Sequence, residues 1–229
     1  MYFMKRSEIN AILKDAICFI DSFHFALPPF AHWTPEDWRK KGPECNEIRD
    51  NMLGWDITDY GLGRFSEVGL VLVTIRNGNQ NNSAYTKPYA EKLLISQENQ
   101  VCPMHFHWKK MEDIINRGGG TLMMQLYNST PEEELDLLNP VHVVSDGVAL
   151  TVPAGTVLEL QPGQSVTLTH GMYHAFWAKE GSGPVLIGEV SQCNDDNTDN
   201  RFLEPMGRFP QIEEDESPLR LLCTEYPSA

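Results

Sequence analysis

The sequence predicts an all-β barrel or sandwich that carries helices at its N-terminus. From Val68 onward, short runs of β-branched and aromatic residues follow one another at even spacing, with turn residues such as Asp146-Gly147 between them. The earlier part of the chain shows helical spacing instead. Because no low-complexity linker separates the two parts, we expect one domain over 1–229, with a helical extension (1–60) packed on a β-barrel (61–229).

Two start signals predict N-terminal helices. Ser7 is the expected N-cap of a helix whose apolar residues, between positions 9 and 20, fall on one face. Thr34 followed by Pro35 and two acids predicts a second helix, with Gly42 as its stop. The apolar face of the first helix should pack against the barrel.

The strands are predicted from period-two and β-branched patterns. They cover 68–75, 89–96, 101–108, 121–127, 141–145, 148–152, 157–160, 165–169, 174–178 and 185–191. A last strand is expected over 219–223, while the acidic run 213–216 is typical of a solvated face.

Charge and composition restrict the classes of partner. The formal net charge is −14, from 18 basic and 32 acidic side chains, which disfavours binding to nucleic acid or to an anionic membrane. No apolar run is long enough to span a membrane, and no signal-peptide core follows the first residues, so we expect a cytoplasmic protein. Five scattered cysteines without a Cys-x-x-Cys pair favour neither disulfides nor a thiolate zinc site.

The most informative stretch lies at the end of the predicted strand 101–108. There, His105 and His107 are two apart, so a strand would send both imidazoles out of the same face. Glu112 follows beyond a short turn and can add a carboxylate oxygen. Three candidate metal ligands therefore come from eight residues.

A second stretch, 163–177, makes the pattern specific. The first stretch with its closing Gly119 resembles the first cupin motif, and Gly163, Gly171 and His174 resemble the second. Departures occur outside the ligand positions, at Asn99, Thr169 and Ala178. The resemblance implies a double-stranded jelly-roll barrel in which one divalent metal is held by His105, His107, Glu112 and His174.

His170 competes with His174 as the last ligand because the two are four residues apart. His174 is in register with the second motif, and a turn at Gly171 makes it unfavourable for both side chains to project from one face. We therefore predict His174.

A wider set of residues resembles the D-lyxose isomerases. It comprises the string from His105 to Gly119, the tetrad Tyr89-Ala90-Glu91-Lys92, the triplet Glu189-Val190-Ser191 and the loop Asn194 to Phe202. The resemblance implies a manganese-dependent aldose-ketose isomerase that converts D-lyxose to D-xylulose and D-mannose to D-fructose, usually as a homodimer.

Moving a carbonyl from C1 to C2 requires a proton to leave one carbon and return to its neighbour. Lys110, Glu112 and Glu189 are the acid-base candidates that the sequence offers. Lys110 is tethered between two predicted ligands, although a solvated turn lysine is the plain alternative. Lys92 and Glu189 each stand alone in an apolar strand, where a buried salt bridge is the alternative to a role in catalysis.

The polar loop 194–201 is expected at the barrel mouth. There Asp199 and Arg201 would hydrogen-bond sugar hydroxyls, beside Lys92, Lys110 and Glu189. Two other functions use the same ligands: an iron-dependent cupin oxygenase, which would require a more apolar pocket, and a cupin that binds sugar without turnover. The choice between an enediol and a direct hydride shift stays open, as does the identity of the base.

Overall fold

The computed structural model describes residues 3–229, and most of its regular structure is β. Three α-helices, α1 (Arg6–Ser22), α2 (Pro35–Trp38) and α3 (Asn46–Asp50), precede the main sheets. The strands are β1 (Phe3–Lys5), β2 (Gly54–Thr58), β3 (Leu70–Arg76), β4 (Tyr89–Ser96), β5 (Cys102–Phe106), β6 (Glu112–Gly119), β7 (Leu122–Ser129), β8 (Leu135–Asp136), β9 (Val141–Ser145), β10 (Val148–Val152), β11 (Val157–Leu160), β12 (Ser165–Leu168), β13 (Met172–Ala178), β14 (Val185–Gln192), β15 (Arg201–Phe202) and β16 (Gln211–Glu213).

Two antiparallel sheets form the barrel. The larger sheet has the order β10-β9-β12-β6-β14-β4-β3-β2, and the smaller one has the order β11-β7-β13-β5-β15, with β8 paired to β7. Strands that are distant in sequence lie side by side, because β14 inserts between β4 and β6 and β13 inserts between β5 and β7. This is the expected double-sheet cupin barrel of jelly-roll type.

Most strand predictions hold within two residues, and the exceptions are instructive. Strand β6 was not predicted, although it begins at Glu112 and runs through the centre of the larger sheet. The larger sheet also begins earlier than the predicted barrel boundary at residue 60, because β2 is its edge strand. The predicted strand 219–223 is wrong: only Leu222 forms a single bridge, to Trp55.

The helix start signals had different outcomes. Thr34 caps α2 through a reciprocal bond with Asp37, as predicted, although the helix ends at Trp38, before Gly42. Ser7 is not the cap of α1, which begins at Arg6; its hydroxyl instead donates to the Asp215 carboxylate at 2.7 Å.

The acidic run 213–216 is therefore more than a solvated face. Glu214 accepts two hydrogen bonds from the buried guanidinium of Arg6, and Glu216 accepts one from Asn10 at 2.6 Å. These hydrogen bonds fix the C-terminal segment to the start of α1, and we call this set of contacts the clasp.

Two apolar clusters hold the chain together. One fills the barrel between the sheets, with Ile114, Met124 and Val166 fully buried. The other lies outside the larger sheet, where Ile9 and other α1 residues pack on β2, β3, β4 and β14. Burial of this apolar helix face is what fixes α1 on the barrel. Among residues 3–229, no helix combines the length and hydropathy needed to cross a membrane.

Candidate active site

Three histidines converge inside the barrel. His105 lies on β5 directly opposite His174 on β13, and His107 follows just beyond the end of β5. One ring nitrogen from each can be chosen so that all three lie within 4.8 Å of one another, and all three residues are buried. Pairing of β5 with β13 therefore supplies the third imidazole from a distant part of the chain.

Backbone carbonyls fix the orientation of each ring. The Nδ1 atoms lie 2.7 Å from the Pro103 oxygen for His105, 2.7 Å from the Asp199 oxygen for His107 and 3.0 Å from the Met172 oxygen for His174. A carbonyl oxygen only accepts, so each Nδ1 carries the proton and each Nε2 keeps its lone pair. Such carbonyl contacts are typical of imidazoles that ligate a metal.

The protonation states suit the same role. Burial lowers the pKa of His105 well below its ordinary value, and the positive charges of His174 and His107 would lower it further. Burial also lowers the pKa of His107, and the nearby ammonium of Lys110 acts in the same direction. Both rings are therefore neutral near pH 7, the form that binds metal.

Glu112, at the start of β6, completes the cluster. Its Oε1 lies 3.2 Å from His174 Nε2 and 3.4 Å from His107 Nε2, and this buried oxygen has no hydrogen-bond partner among residues 3–229. Burial would raise the pKa of Glu112, but Lys110 and His107 outweigh that effect and lower it well below its ordinary value. An anionic oxygen without a partner that faces neutral nitrogen lone pairs is an arrangement that a divalent cation would stabilise. The residues therefore fit a metal.

His170 is not part of this cluster. It is exposed, and its Nε2 lies 3.1 Å from the side-chain oxygen of Gln192 on β14. The structure thus brings His174, and not His170, to the other two histidines.

Buried charges continue from the histidine cluster along the larger sheet. The Nζ of Lys110 lies 2.6 Å from Glu112 Oε2 and 2.8 Å from Glu189 Oε1. Lys92 follows, with its Nζ 3.6 Å from Glu189 Oε1 and 3.9 Å from Asp196 Oδ1. Burial would lower the pKa of Lys110, but Glu112 and Glu189 raise it above its ordinary value, so its ammonium form is retained.

Arg208 extends this charge chain toward the barrel mouth. Its Nη2 lies 3.2 Å from Asp196 Oδ2 and 2.7 Å from Asp56 Oδ2. Burial would raise the pKa of Asp196, but Arg208 and Lys92 lower it well below its ordinary value. For Asp56 the balance is reversed, since burial raises its pKa despite Arg208. Acidic and basic side chains thus alternate along a series of contacts, which we call the charge chain: Glu112, Lys110, Glu189, Lys92, Asp196, Arg208 and Asp56.

These features agree with the comparisons with known proteins. A sequence model described as D-lyxose isomerase matches residues 4–226. The D-lyxose/D-mannose isomerase of Serratia proteamaculans is 49% identical over 97% of this chain and 98% of its own length. The corresponding protein of Escherichia coli O157:H7 is 46% identical with the same coverage. The chain belongs to the D-lyxose isomerase family. It is a sugar ketol-isomerase.

Solved structures support the fold assigned to this D-lyxose isomerase family member. An L-ribose isomerase of Cellulomonas parahominis, solved with L-psicose, superposes with a TM-score of 0.60 over 93% of this chain and 100% of its own. An L-ribose isomerase mutant of Acinetobacter sp. DL28, solved with L-ribose, gives a TM-score of 0.61 over 92% and 98% of the two chains. Identities of 16% and 14% mean that this likeness concerns the fold alone.

Two predicted sugar-binding residues do not face the lumen of this family member. The buried carboxylate of Asp199 accepts hydrogen bonds from the backbone nitrogens of Lys109 and Lys110, at 2.9 and 3.0 Å. Arg201 contacts Glu133 at 3.2 Å and its neighbour's carbonyl oxygen. The loop's position at the mouth was predicted, but Asp199 braces the turn that carries Lys110, and Arg201 binds outside the lumen.

Other residues of the D-lyxose isomerase lumen were missed. Asp196 and Asn200 of the same loop line the lumen, as do Arg208 and Phe202. The dense polar composition of 194–201 was a signal for Asp196, but it did not show which of the aspartates points inward. Arg208 had no sequence signal, because its two carboxylate partners lie 152 and 12 residues away in the chain.

Charged and apolar side chains both line the lumen. The charge chain from Glu112 to Arg208 contributes the charged groups, while Leu72, Leu94, Ile114 and Phe176 are among the apolar ones. Its volume is about 40 Å³, which is small beside a whole sugar. This lumen therefore has room for reacting atoms next to the histidine cluster.

Proposed function

We propose that this isomerase converts D-lyxose to D-xylulose and D-mannose to D-fructose with one divalent metal, manganese, held by four side chains. These ligands are His105, His107, Glu112 and His174. The observation that carries the proposal is the partnerless Glu112 oxygen facing His107 and His174, directly beside the buried Lys110–Glu189 ion pair. A metal site and an acid-base pair are thereby adjacent in one lumen.

The donor set supports a divalent ion of borderline hardness. Three imidazoles with one carboxylate suit first-row metals, and the carboxylate favours manganese more than a thiolate set would. When bound, the metal would act as a Lewis acid that stabilises negative charge developing on two neighbouring sugar oxygens.

The protein's own groups would move the protons. We assign Glu189 as the base that takes the proton from C2 of the aldose and returns it to C1, while a second proton passes from the C2 hydroxyl to the C1 oxygen. Lys110 retains its ammonium form and would donate a hydrogen bond to an oxygen that becomes negative. Lys92, within 3.6 Å of Glu189, would hold the carboxylate in position.

Two further expectations belong to the proposal. A homodimer stays an expectation from the resemblance; Leu138 and, on the edge strand β10, Val148 are exposed apolar side chains that such a contact could cover. Cytoplasmic location stays a prediction from the sequence.

The test is turnover by the metal-depleted and reloaded enzyme. After chelation, addition of manganese should restore conversion of D-lyxose and, more slowly, of D-mannose. Deuterium at C2 of D-mannose should pass to C1 of fructose with partial loss to solvent if Glu189 shuttles it, and with near-complete retention if a hydride shifts. If neither aldose reacts with manganese present, while the iron-loaded protein consumes oxygen with another substrate, the oxygenase alternative replaces the proposal.

A further inference from the structure

A second cavity lies at the barrel mouth, outside the lumen. It is lined by the segments 50–52, 77–81 and 194–197 together with Thr74, and its volume is about 220 Å³. We name it the outer pocket. It shares Asp196 with the lumen, so a molecule that extends past this carboxylate would contact both spaces.

Strand β3 leads from one space to the other. Leu70 and Leu72 line the lumen, and Thr74 is the next residue of the same parity, so its side chain also points inward, at the level of the outer pocket. Thr74 is opposite Lys92 on β4 in the sheet register, which places it beside the charge chain. Thr74 is buried, and it lines the outer pocket, where its hydroxyl could bond a ligand.

Amide contacts hold the walls of the outer pocket rigid. Asn77 donates to the backbone oxygens of Asn51 and Asn194, at 3.3 and 2.9 Å, and accepts from the backbone nitrogen of Asn194 at 3.0 Å. A side chain at Gly78 is excluded, because its Cβ would lie 1.9 Å from the backbone oxygen of Lys87. The three segments that line the pocket are therefore joined before any ligand binds, which limits the entropy lost in ordering them on binding.

The chemistry of the lining selects a neutral polyol. Seven of the 13 lining residues are Asn or Gln, which offer both donors and acceptors to hydroxyl groups. The three acids are aspartates, and the lining contains neither lysine nor arginine. A phosphorylated chain end would therefore be repelled, whereas uncharged hydroxyls would be accommodated.

From the position of Thr74 in the pocket lining, the shared Asp196 and the difference in volume between the two spaces, we infer that the outer pocket binds the non-reacting end of the sugar. The terminal hydroxymethyl group of a hexose would lie there, beyond the end of a pentose. This inference rests on the proposed isomerase function and makes Thr74 a residue that determines the preference for six-carbon over five-carbon sugars.

The test compares two sugar lengths in three variants. Thr74→Val removes the hydroxyl without changing the shape, and it should lower kcat/KM for D-mannose relative to D-lyxose by about tenfold, the scale of one hydrogen bond to a buried group. Asn197→Phe narrows the pocket from an exposed loop position and should lower the same ratio further. Thr167→Val is the matched control, because its hydroxyl bonds Asp113 on the outer face of the sheet, and it should leave the ratio unchanged.

Binding of sugar alcohols separates this inference from the proposed function. D-mannitol and D-arabinitol cannot be isomerised, so their affinities, measured by calorimetry, report the pockets alone. Weaker binding of D-mannitol, with unchanged binding of D-arabinitol, in Thr74→Val supports the outer pocket even if the parent converts neither aldose. Equal effects on both alcohols, or a parent-like aldose ratio in both Thr74→Val and Asn197→Phe, would overturn it.

Discussion

Two arginines in this molecule each bridge two carboxylates, and they differ in how many of their N–H groups are hydrogen-bonded. Arg6, at the start of α1, donates in paired fashion to Glu214 and to Glu225. Arg208, at the barrel mouth, reaches Asp196 and Asp56 through the single nitrogen Nη2. Its buried Nη1 has no hydrogen-bond partner among residues 3–229, and neither has Asp56 Oδ2, although Nη2 lies 2.7 Å from it.

The difference distinguishes a structural contact from a binding site. A guanidinium with matched partners closes the C-terminal segment over α1 and has little left to offer a ligand. Unmatched buried atoms are costly, and natural proteins keep them mainly where a ligand, water or ion completes them. Arg208 Nη1, Asp56 Oδ2 and Glu112 Oε1 all belong to the lumen's charge chain. The lumen therefore holds unused binding capacity that the Arg6 clasp does not.

The largest effect should come from removing one of the proposed metal ligands. His174→Ala is expected to lose bound metal and to lower kcat by about a thousandfold or more, because the stabilisation of negative charge disappears with the ion. Metal analysis and turnover measure the two losses together. His170→Ala is the control and should keep both, since His170 is exposed and apart from the cluster. Stoichiometric metal in His174→Ala would show that the cluster is not the metal site.

Next in size is Lys110, which contacts both Glu112 and Glu189. Lys110→Ala should lower turnover by roughly a hundredfold, the scale of an acid-base or electrostatic group. A solvated lysine would leave the melting temperature unchanged, but this one is buried between two carboxylates. Its loss should therefore also lower the free energy of unfolding by about 3 kcal/mol. Parent-like kinetics with lowered stability would assign Lys110 to structure alone.

The sequence predicted correctly those strands whose bounds depend on residues close together in the chain. Strands such as 141–145 and 148–152 were predicted at their observed bounds because alternation and the Asp146-Gly147 turn define them locally. Strand β6 was missed because it begins with two charged side chains, of which only Glu112 faces the lumen, and ends in glycines, so its pattern does not resemble an ordinary strand. Its place was fixed by pairing with β14, which is 66 or more residues away in the chain.

The candidate site divides in the same way. His105, His107 and Glu112 lie within one motif, so their spacing was sufficient to predict their convergence. Asp199 and Arg201 lie outside the lumen lining, which loop composition could not reveal because it does not fix side-chain direction, and Asp199 accepts two backbone hydrogen bonds. Asp56 and Arg208 came together only through the fold. Sequence reasoning thus found the histidine cluster that could hold a metal and missed the far end of the charge chain.

The two arginines themselves provide the direct comparison. Arg208→Met should lower kcat/KM for aldoses by tenfold or more, because the lumen loses a charged donor whose Nη1 has no partner among residues 3–229 and could bond a sugar oxygen. Arg6→Met should leave kcat/KM within about twofold and lower the free energy of unfolding by about 2 kcal/mol, since Glu225 and the half-exposed Glu214 lose their charged donor. Denaturant unfolding and steady-state kinetics on both variants decide the matter. Equal losses of kcat/KM in the two variants would show that Arg208 has no binding role that Arg6 lacks.

The smallest effect concerns pH and the clasp. A side-chain hydrogen bond from Arg6 lowers the pKa of Glu214 below its ordinary value of 4.5, and the slight burial of Glu214 opposes this only in part. Because the folded-state pKa is the lower one, this contribution to stability is complete above pH 4.5 and is lost as pH falls through the folded-state pKa.

Glu214→Gln should therefore lower the free energy of unfolding at pH 7 by about 1 kcal/mol at most, because the carboxylate is more than half exposed and solvent screens the pair. The difference from the parent should shrink as the pH is lowered below 4, since the parent then loses the same charge. Glu213→Gln, at the adjacent exposed position, is the control and should show no such convergence. A difference that persists unchanged at pH 3 would mean that Glu214 stabilises its contact with Arg6 by packing and not by its charge. Arg6 would then differ from Arg208 only in the geometry of its contacts.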